Sequence, residues 1–412
     1  MKKVLACILI IVIVFALCSC NTEVEQEPIS RAPLNLSEPL TIEEIKAEKL
    51  DEEFIKAQQD FALNLFSAYY SADKGNVCIS PYSLSFALGI VANGADGETA
   101  QEIEDVLMGG MEKDKWNKNM YSLLKESEKY IEQADSIWID TKQQTVNADF
   151  LNVSKKYFNA NVYKTDLSTY GIEDINAWVK ENTDGKIENI ADSLSPNTKL
   201  YIANALSFTK QWASSHYAQH VTEETFFTLD GEEQTVKMMK SALNGDHYIN
   251  TKEAVGFIKP LQVDYSFVAL MPNDNVNLPD YISSLNGTKF RDILNSVEYV
   301  QIDTVMPFFK VENDITFNET LKKMGINSAY DDAIADFSKI SKTDSLVLGV
   351  TRQKTLLNVD IEGVRGSSAS GQEVIYRSLR FPEISLTLNR PFVYAIINKQ
   401  GIPVFVGAVT KI

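Results

Sequence analysis

The chain has few of the side chains on which most enzyme active sites depend. Its 412 residues include only three histidines, His216, His220 and His247. His216 and His220 have the i, i+4 spacing of a helical metal site, but no third ligand or HExxH-type carboxylate accompanies them, so a surface helix or loop is the better interpretation. The sequence contains no GxSxG turn, Walker loop or GxGxxG motif. It therefore predicts no metal, no cofactor and no catalysis.

The chain also lacks a positive charge balance. It has 39 Lys and Arg residues against 56 Asp and Glu residues, which gives a formal charge of −17. Nucleic acid is a poor partner for such a chain, because its binding depends on neutralising phosphates, and a heparin-like polyanion is disfavoured for the same reason. An acidic surface of this kind keeps a protein soluble.

Cysteine is scarce, and its position near the N-terminus is informative. MKK precedes an apolar run from Val4 to Leu17, which is shorter than the roughly 20 residues of a membrane-spanning helix and predicts a secretory signal over residues 1–19. The LCSC that ends this run resembles a bacterial lipobox, which makes Cys20 the lipid-bearing residue; an ordinary signal peptide with a chance cysteine is the alternative. Cys78 is then a lone thiol, predicted to be a small buried hydrophobe.

Residues 20–51 predict a flexible tether between the lipid and the folded domain of residues 52–412. The segment is acidic and contains Pro28, Pro33 and Pro39. We therefore expect a protein exported to the bacterial outer membrane, anchored by its lipid and exposed at the surface. Protease digestion of intact cells would distinguish an outward-facing domain from a periplasmic one.

The order of periodic segments predicts an α+β fold. Helical spacing dominates from EEFIKAQQDF to GETAQEIEDVL, and Ser80 and Pro81 are typical of a helix start. Strand-like runs such as ADSIWID, LYIANALSF and YSFVALMP follow. Helices first and strands later argue against a repeated βαβ unit.

Five stretches, read together, resemble the serpin family. They cover most of residues 55–412 in the family's order and are NVCISPYSLSFALGIVANGADGETAQEIEDVL, LYIANALSFTKQW, TFFTLDGEEQTVKMM, FNETLKKMGINSAYDDAIADFSKI and LNRPFVYAIINKQGIPVFVGAV. The resemblance implies one domain of three β-sheets with eight or nine helices. It also implies a monomeric protease inhibitor that is not an enzyme, whose exposed loop (about residues 363–381) is cut and then inserts into the central sheet.

The resemblance places the bait bond at Arg377–Ser378, about fourteen residues after the glycine that opens the hinge, Gly363. Arginine suits trypsin-like serine proteases, and Arg-specific cysteine proteases are a further class of target. Two other bonds stay open, Tyr376–Arg377 for chymotrypsin-like enzymes and Arg380–Phe381 in a longer loop.

Strand alternation predicts that the loop can insert with its charges on one face. Val364, Gly366, Ser368 and Ser370 fall in the inward set, whereas Arg365, Ser367 and Ala369 fall in the outward set. A buried unpaired charge would oppose insertion by several kcal/mol, and this pattern avoids one.

The hinge departs from the family's usual pattern. Ile361, Val364 and Arg365 replace the usual Glu, Thr or Ser, and Glu, and Gly-Ser-Ser replaces the usual run of Ala. Gly366 and Gly371 also weaken strand propensity. Slow insertion would turn an inhibitor into a substrate, so a non-inhibitory binding or scaffold serpin is the alternative function; an unrelated surface-anchored enzyme is disfavoured. The family's shutter corresponds to Ser80, Ser83, Asn204 and Gln353, where Gln353 replaces a common histidine and predicts a rearranged network.

Overall fold

One helix of this computed structural model begins at the cap that the sequence predicts. The structure describes residues 32–43, 45–142, 145–183, 185–195, 198–214, 220–342, 345–365 and 384–412. Ser80 caps the helix of residues 81–94, because its hydroxyl accepts from the Ser83 amide, and every residue of that helix but Asn93 is buried. The α-helices among the described residues are α1 (Glu52–Tyr69), α2 (Pro81–Gly94), α3 (Gly97–Met108), α4 (Lys113–Ser127), α5 (Ala148–Phe158), α6 (Gly171–Asn182), α7 (Leu278–Ser284), α8 (Gly287–Asn295) and α9 (Asn318–Met324).

The described strands form a seven-stranded and a nine-stranded sheet. The seven-stranded sheet runs in the order β1 (Leu34–Asn35), β4 (Asn161–Thr165), β3 (Ile131–Asp140), β5 (Leu200–Gln211), β13 (Gly363–Arg365), β12 (Arg352–Val359) and β11 (Phe309–Thr316). The nine-stranded sheet runs in the order β14 (Ile384–Thr387), β10 (Glu298–Pro307), β7 (Glu233–Asn250), β8 (Ala254–Pro260), β9 (Ser266–Pro272), β15 (Phe392–Ile397), β16 (Pro403–Val409) and β2 (Val77–Ile79), and β6 (Val221–Phe227) pairs with β7.

The family resemblance predicts three β-sheets, whereas the described strands form two. The long strand β7 explains the difference. Its first part pairs with β6 and β10, and its last residues, Tyr248–Asn250, pair with β8. One 18-residue strand therefore connects a small sheet region to a larger one. The predicted α+β class is confirmed.

Both faces of the seven-stranded sheet are covered. The main core contains apolar residues of α1, α2 and the nine-stranded sheet, including Phe54, Phe86 and Phe405. A second, smaller core under α6 contains Trp138, Trp178 and Tyr201. The central strands β3 and β5 consequently carry apolar side chains on both faces.

The predicted tether needs correction in the part that the structure describes. Leu34 and Asn35 pair with Lys164 and Tyr163 of β4, and the Ser37 hydroxyl accepts from the Val162 amide at 2.9 Å. These residues dock because the edge of β4 offers unpaired backbone groups, which composition alone does not reveal. Within the described residues, no helix is both long and apolar enough to cross a membrane.

Candidate functional site

The first residues of the predicted loop form a short strand inside the seven-stranded sheet. Strand β13 is three residues long and lies between β5 and β12, antiparallel to both. The register pairs Gly363 with Gln211, Val364 with Lys210 and Val359, and Arg365 with Thr209 and Asn358. The start of the loop is therefore already part of the sheet.

Val364 and Arg365 lie on opposite faces of this sheet, in the alternation that the sequence predicts. Val364 is 0% exposed and lies on the same face as buried Val359, its cross-strand partner. Arg365 is on the other face, but it is only 9% exposed and contacts the carboxylates of Asp360 and Glu362. The prediction of an outward charge is thus refined, because Arg365 is covered and paired.

Gly363 lies where the backbone of β5 leaves no space for a side chain. Its φ is +152°, and a Cβ atom at this position would lie 2.1 Å from the Lys210 carbonyl oxygen and 2.7 Å from the Gln211 Cα. Both neighbours are backbone atoms of a paired strand, which cannot move cheaply. Glycine is therefore required for β13 to lie against β5.

Beyond β13, the space between β5 and β12 widens into a cavity of about 360 Å³. Among the described residues, β5 and β12 are neighbours only through β13, although β5 has twelve residues and β12 has eight. The cavity is lined by Lys186–Asn189, Leu206–Ser207, Glu312–Asp314 and Lys354–Leu356. Its walls thus include residues of both β5 and β12, together with part of β11 and the segment that follows α6.

The structure brings only part of the predicted shutter together. Gln353 is 5% exposed and bonds twice to the Ser80 backbone: its Oε1 accepts from the Ser80 amide at 2.7 Å, and its Nε2 donates to the Ser80 carbonyl at 2.9 Å. The Ser80 hydroxyl donates to the Val404 carbonyl and accepts from the Ser83 amide. Gln353 therefore holds the start of α2 by its backbone.

Asn204 is bonded instead to a buried acid that the sequence analysis did not single out. Its Nδ2 donates to the Asp135 carboxylate, which also accepts from Gln133 Nε2 at 2.7 Å. Asp135 is 4% exposed, and burial raises its pKa to about 7 even though both amide hydrogen bonds lower it. Asn204 Oδ1 and Gln133 Oε1 are buried without a hydrogen-bond partner among the described residues.

The raised pKa of Asp135 predicts a stability that falls as pH rises. Between the ordinary carboxyl pKa of 3.8 and about 7, the folded chain holds a proton at Asp135 that the unfolded chain releases. This contribution is complete below pH 3.8 and is lost as pH rises through 7. We expect Asp135→Asn to unfold at a thermal midpoint several degrees above wild type at pH 8, with a smaller difference at pH 5.

Thermal unfolding at both pH values checks this, with exposed Asp332→Asn as the matched control. A difference between Asp135→Asn and wild type that is equal at pH 5 and pH 8 would contradict the assignment.

The end of β5 is tied to the turn before the hinge. Trp212 Nε1 donates to the Asp360 carbonyl at 2.8 Å. The Lys259 ammonium lies 4.9 Å from the centre of the Trp212 ring and donates to the Ser241 hydroxyl at 2.7 Å. Lys259 is 1% exposed, and burial lowers its pKa to about 7. The indole therefore joins the nine-stranded sheet to the start of the loop.

Two residues of the candidate site, Asp135 and Asp360, were not predicted from the sequence. A polar signal existed for Asp135, because ADSIWID places an acid inside an otherwise apolar strand. Asp360 gave no such signal, since an acid beside a turn is common. The roles of both residues in the structure are recognised only from their contacts with residues distant in the sequence, Asn204 for Asp135 and Trp212 for Asp360.

Several predicted residues lie outside the described part of the chain. They are the reactive bond Arg377–Ser378, its alternatives Tyr376 and Arg380, the hinge residues 366–370, the lipid-bearing Cys20, and His216. Cys78 is described, and it is a buried free thiol as predicted. Among the described residues, no group of three or more His, Cys, Asp or Glu could hold a metal ion.

Comparisons with known proteins agree with this geometry. A family model described as Serpin (serine protease inhibitor) matches residues 56–412. Iripin-5 from Ixodes ricinus is 29% identical over 368 residues, which cover 85% of this chain and 92% of that protein.

Two solved structures of the thermophilic serpin tengpin are similar, each at 32% sequence identity. The native state has a TM-score of 0.86 and covers 92% of this chain and 100% of tengpin; the latent state has a TM-score of 0.77 and covers 89% and 100%. The described fold is thus more similar to the native state than to the latent one.

Proposed function

The chain belongs to the serpin family, and from that premise we propose that it is a suicide-substrate inhibitor of trypsin-like serine proteases, with Arg-specific cysteine proteases as a further target class. The protease serine attacks the Arg377 carbonyl carbon, the bond to the Ser378 nitrogen breaks, and that nitrogen takes up a proton. An ester between the protease and Arg377 remains. Insertion of the cut loop then distorts the protease before water can hydrolyse the ester.

The observation that supports this proposal best is the alignment of β13 with the cavity. Continuing the β13 register past Arg365 leads to Leu206 and Ser207 on β5 and to Lys354–Leu356 on β12. These residues also line the cavity of about 360 Å³. We therefore assign residues 367–369 to this space in the cleaved protein.

The same register continues to the shutter residues. The position after residue 369 lies opposite Asn204 on β5 and Gln353 on β12. In the proposed inserted state this position belongs to Ser370, whose hydroxyl would reach the buried Asn204 Oδ1 that lacks a partner among the described residues. Insertion would thus add hydrogen bonds as well as strand pairing, both of which favour the inserted state.

Specificity follows from the side chain at the cut. An arginine guanidinium pairs with a carboxylate in a fixed, bidentate geometry, which suits the acidic pocket of trypsin-like enzymes.

The proposal also includes the lipid anchor at Cys20 and a surface-exposed location, which protease digestion of intact cells would check.

Incubation with trypsin tests the function. We expect a covalent complex of the summed mass that survives SDS, and we expect Arg377→Ala to reduce its yield at least tenfold because the bait side chain is gone. Arg380→Ala is the matched control and should form the complex as wild type does.

Clean cleavage of wild type without a covalent band would replace the proposal with its alternative, a non-inhibitory serpin. Loss of the complex in Arg380→Ala rather than in Arg377→Ala would show that the protease cuts at Arg380–Phe381 instead.

A further inference from the structure

An ion-pair cluster holds the first residues of the loop in the sheet. Arg365 Nη2 contacts Asp360 Oδ2, and Arg365 Nη1 donates to Glu362 Oε2 at 2.5 Å. The side chains of Arg365, Asp360 and Glu362 are 11%, 18% and 41% exposed. The guanidinium is thus largely removed from water. At such a buried position, salt screens the attraction between paired charges less than it does at the surface.

Asp360 is itself fixed before it meets Arg365. Its carboxylate accepts from Asn358 Nδ2 at 3.0 Å and from the Glu362 amide at 2.9 Å. Its amide donates to the Gly363 carbonyl at 3.0 Å, which closes a tight turn. Trp212 anchors the same residue through its carbonyl. The acceptor for Arg365 therefore has little freedom left to lose.

We propose that Asp360, Glu362 and Arg365 form a latch that keeps β13 in the sheet before any protease arrives, and that Arg365 is a positioning residue for loop insertion. Fixing a residue's backbone costs about 1–2 kcal/mol of conformational entropy. Because the latch has already fixed residues 363–365, that cost does not contribute to the barrier that the rest of the loop crosses after cleavage.

The latch compensates for a weakness elsewhere in the same segment. Gly366 and Gly371 lower the strand propensity of the residues that follow Arg365. A strand that starts from a formed end needs only to extend, so insertion can compete with hydrolysis of the ester. The role of the latch in loop insertion rests on the proposed inhibitory function, whereas the existence of the latch does not.

Hydrogen exchange of the uncleaved protein tests the latch without a protease. We expect Arg365→Gln to raise the exchange rate of the β13 amides at least tenfold, because it removes two charge-assisted hydrogen bonds. Arg365→Lys, which keeps the charge, should recover part of the protection. The matched control is Arg352→Gln, which removes an arginine paired with Asp192 and Asp314 at the other end of β12 and should leave β13 unchanged. Equal exchange in Arg365→Gln and wild type would overturn the latch.

The number of inhibitor molecules consumed per trapped protease tests the role of Arg365 in loop insertion. With trypsin, Arg365→Gln should consume at least three times as many inhibitor molecules per trapped protease, while the rate of loop cleavage stays at the wild-type value. An unchanged partition, or a more efficient one, would overturn the positioning role. If wild type forms no complex, the proposed function fails, and hydrogen exchange still decides whether the latch exists.

Discussion

Val364→Arg is expected to abolish covalent trapping of trypsin while cleavage of the loop continues. Val364 is completely buried between β5 and β12, on the face that it shares with Val359. An arginine there would place an unpaired charge in the core next to Lys210, its partner on β5. Removing such a charge from water costs several kcal/mol, so β13 should leave the sheet and insertion should fail.

The measurement is the fraction of protease found in the SDS-stable complex. We expect it to fall at least tenfold in Val364→Arg, with the cleaved monomer as the product. Val364→Thr is the matched control, since it keeps the branched shape and should retain most of the complex. A complex yield in Val364→Arg equal to that of wild type would show that trapping does not depend on an apolar side chain at this buried position.

Gly363→Ala is expected to destabilise the uncleaved protein and to release β13. A methyl group would overlap the Lys210 carbonyl oxygen and the Gln211 Cα, so either the strand or the end of β5 must shift. Strain of this kind costs about 1–3 kcal/mol. We expect a lower thermal midpoint, together with faster hydrogen exchange at Thr209–Gln211.

Gly349→Ala provides the comparison for this experiment. A Cβ at Gly349 would have its nearest neighbour, the Leu200 carbonyl oxygen, 3.5 Å away, which is an ordinary contact. That variant should unfold close to the wild-type midpoint. If both alanine variants behave alike, the close approach of β13 to β5 is not what requires glycine at position 363.

Local signals predicted the elements of the fold well. Ser80 and Pro81 marked the start of α2 at the right residue, because a cap depends on neighbours within one helical turn. The alternation of Val364 and Arg365 predicted their opposite faces, because side chains in a strand have a period of two residues. Such features depend only on a few adjacent residues.

Features that depend on pairing between distant strands could not be predicted. Asp135 meets Asn204 because β3 and β5 align with those two residues opposite each other. No short-range pattern specifies that register, and the same holds for the docking of Leu34 and Asn35 on β4. The hydrogen-bond partners of Asn204 and Gln353 therefore differ although the sequence analysis grouped the two residues together.

The described residues on either side of the loop belong to different sheets, which determines what a protease can achieve. The segment before residue 366 ends in the seven-stranded sheet, and the segment from residue 384 begins in the nine-stranded one, where β14 pairs with β10. All residues of β15 and β16 are buried. A cut at Arg377–Ser378 would therefore leave residues 378–412 as a second polypeptide, held without a covalent bond by core packing and by the pairing of β14 with β10, of β15 with β9 and of β16 with β2. The cleaved protein should migrate as one particle in a native gel and as two chains in detergent.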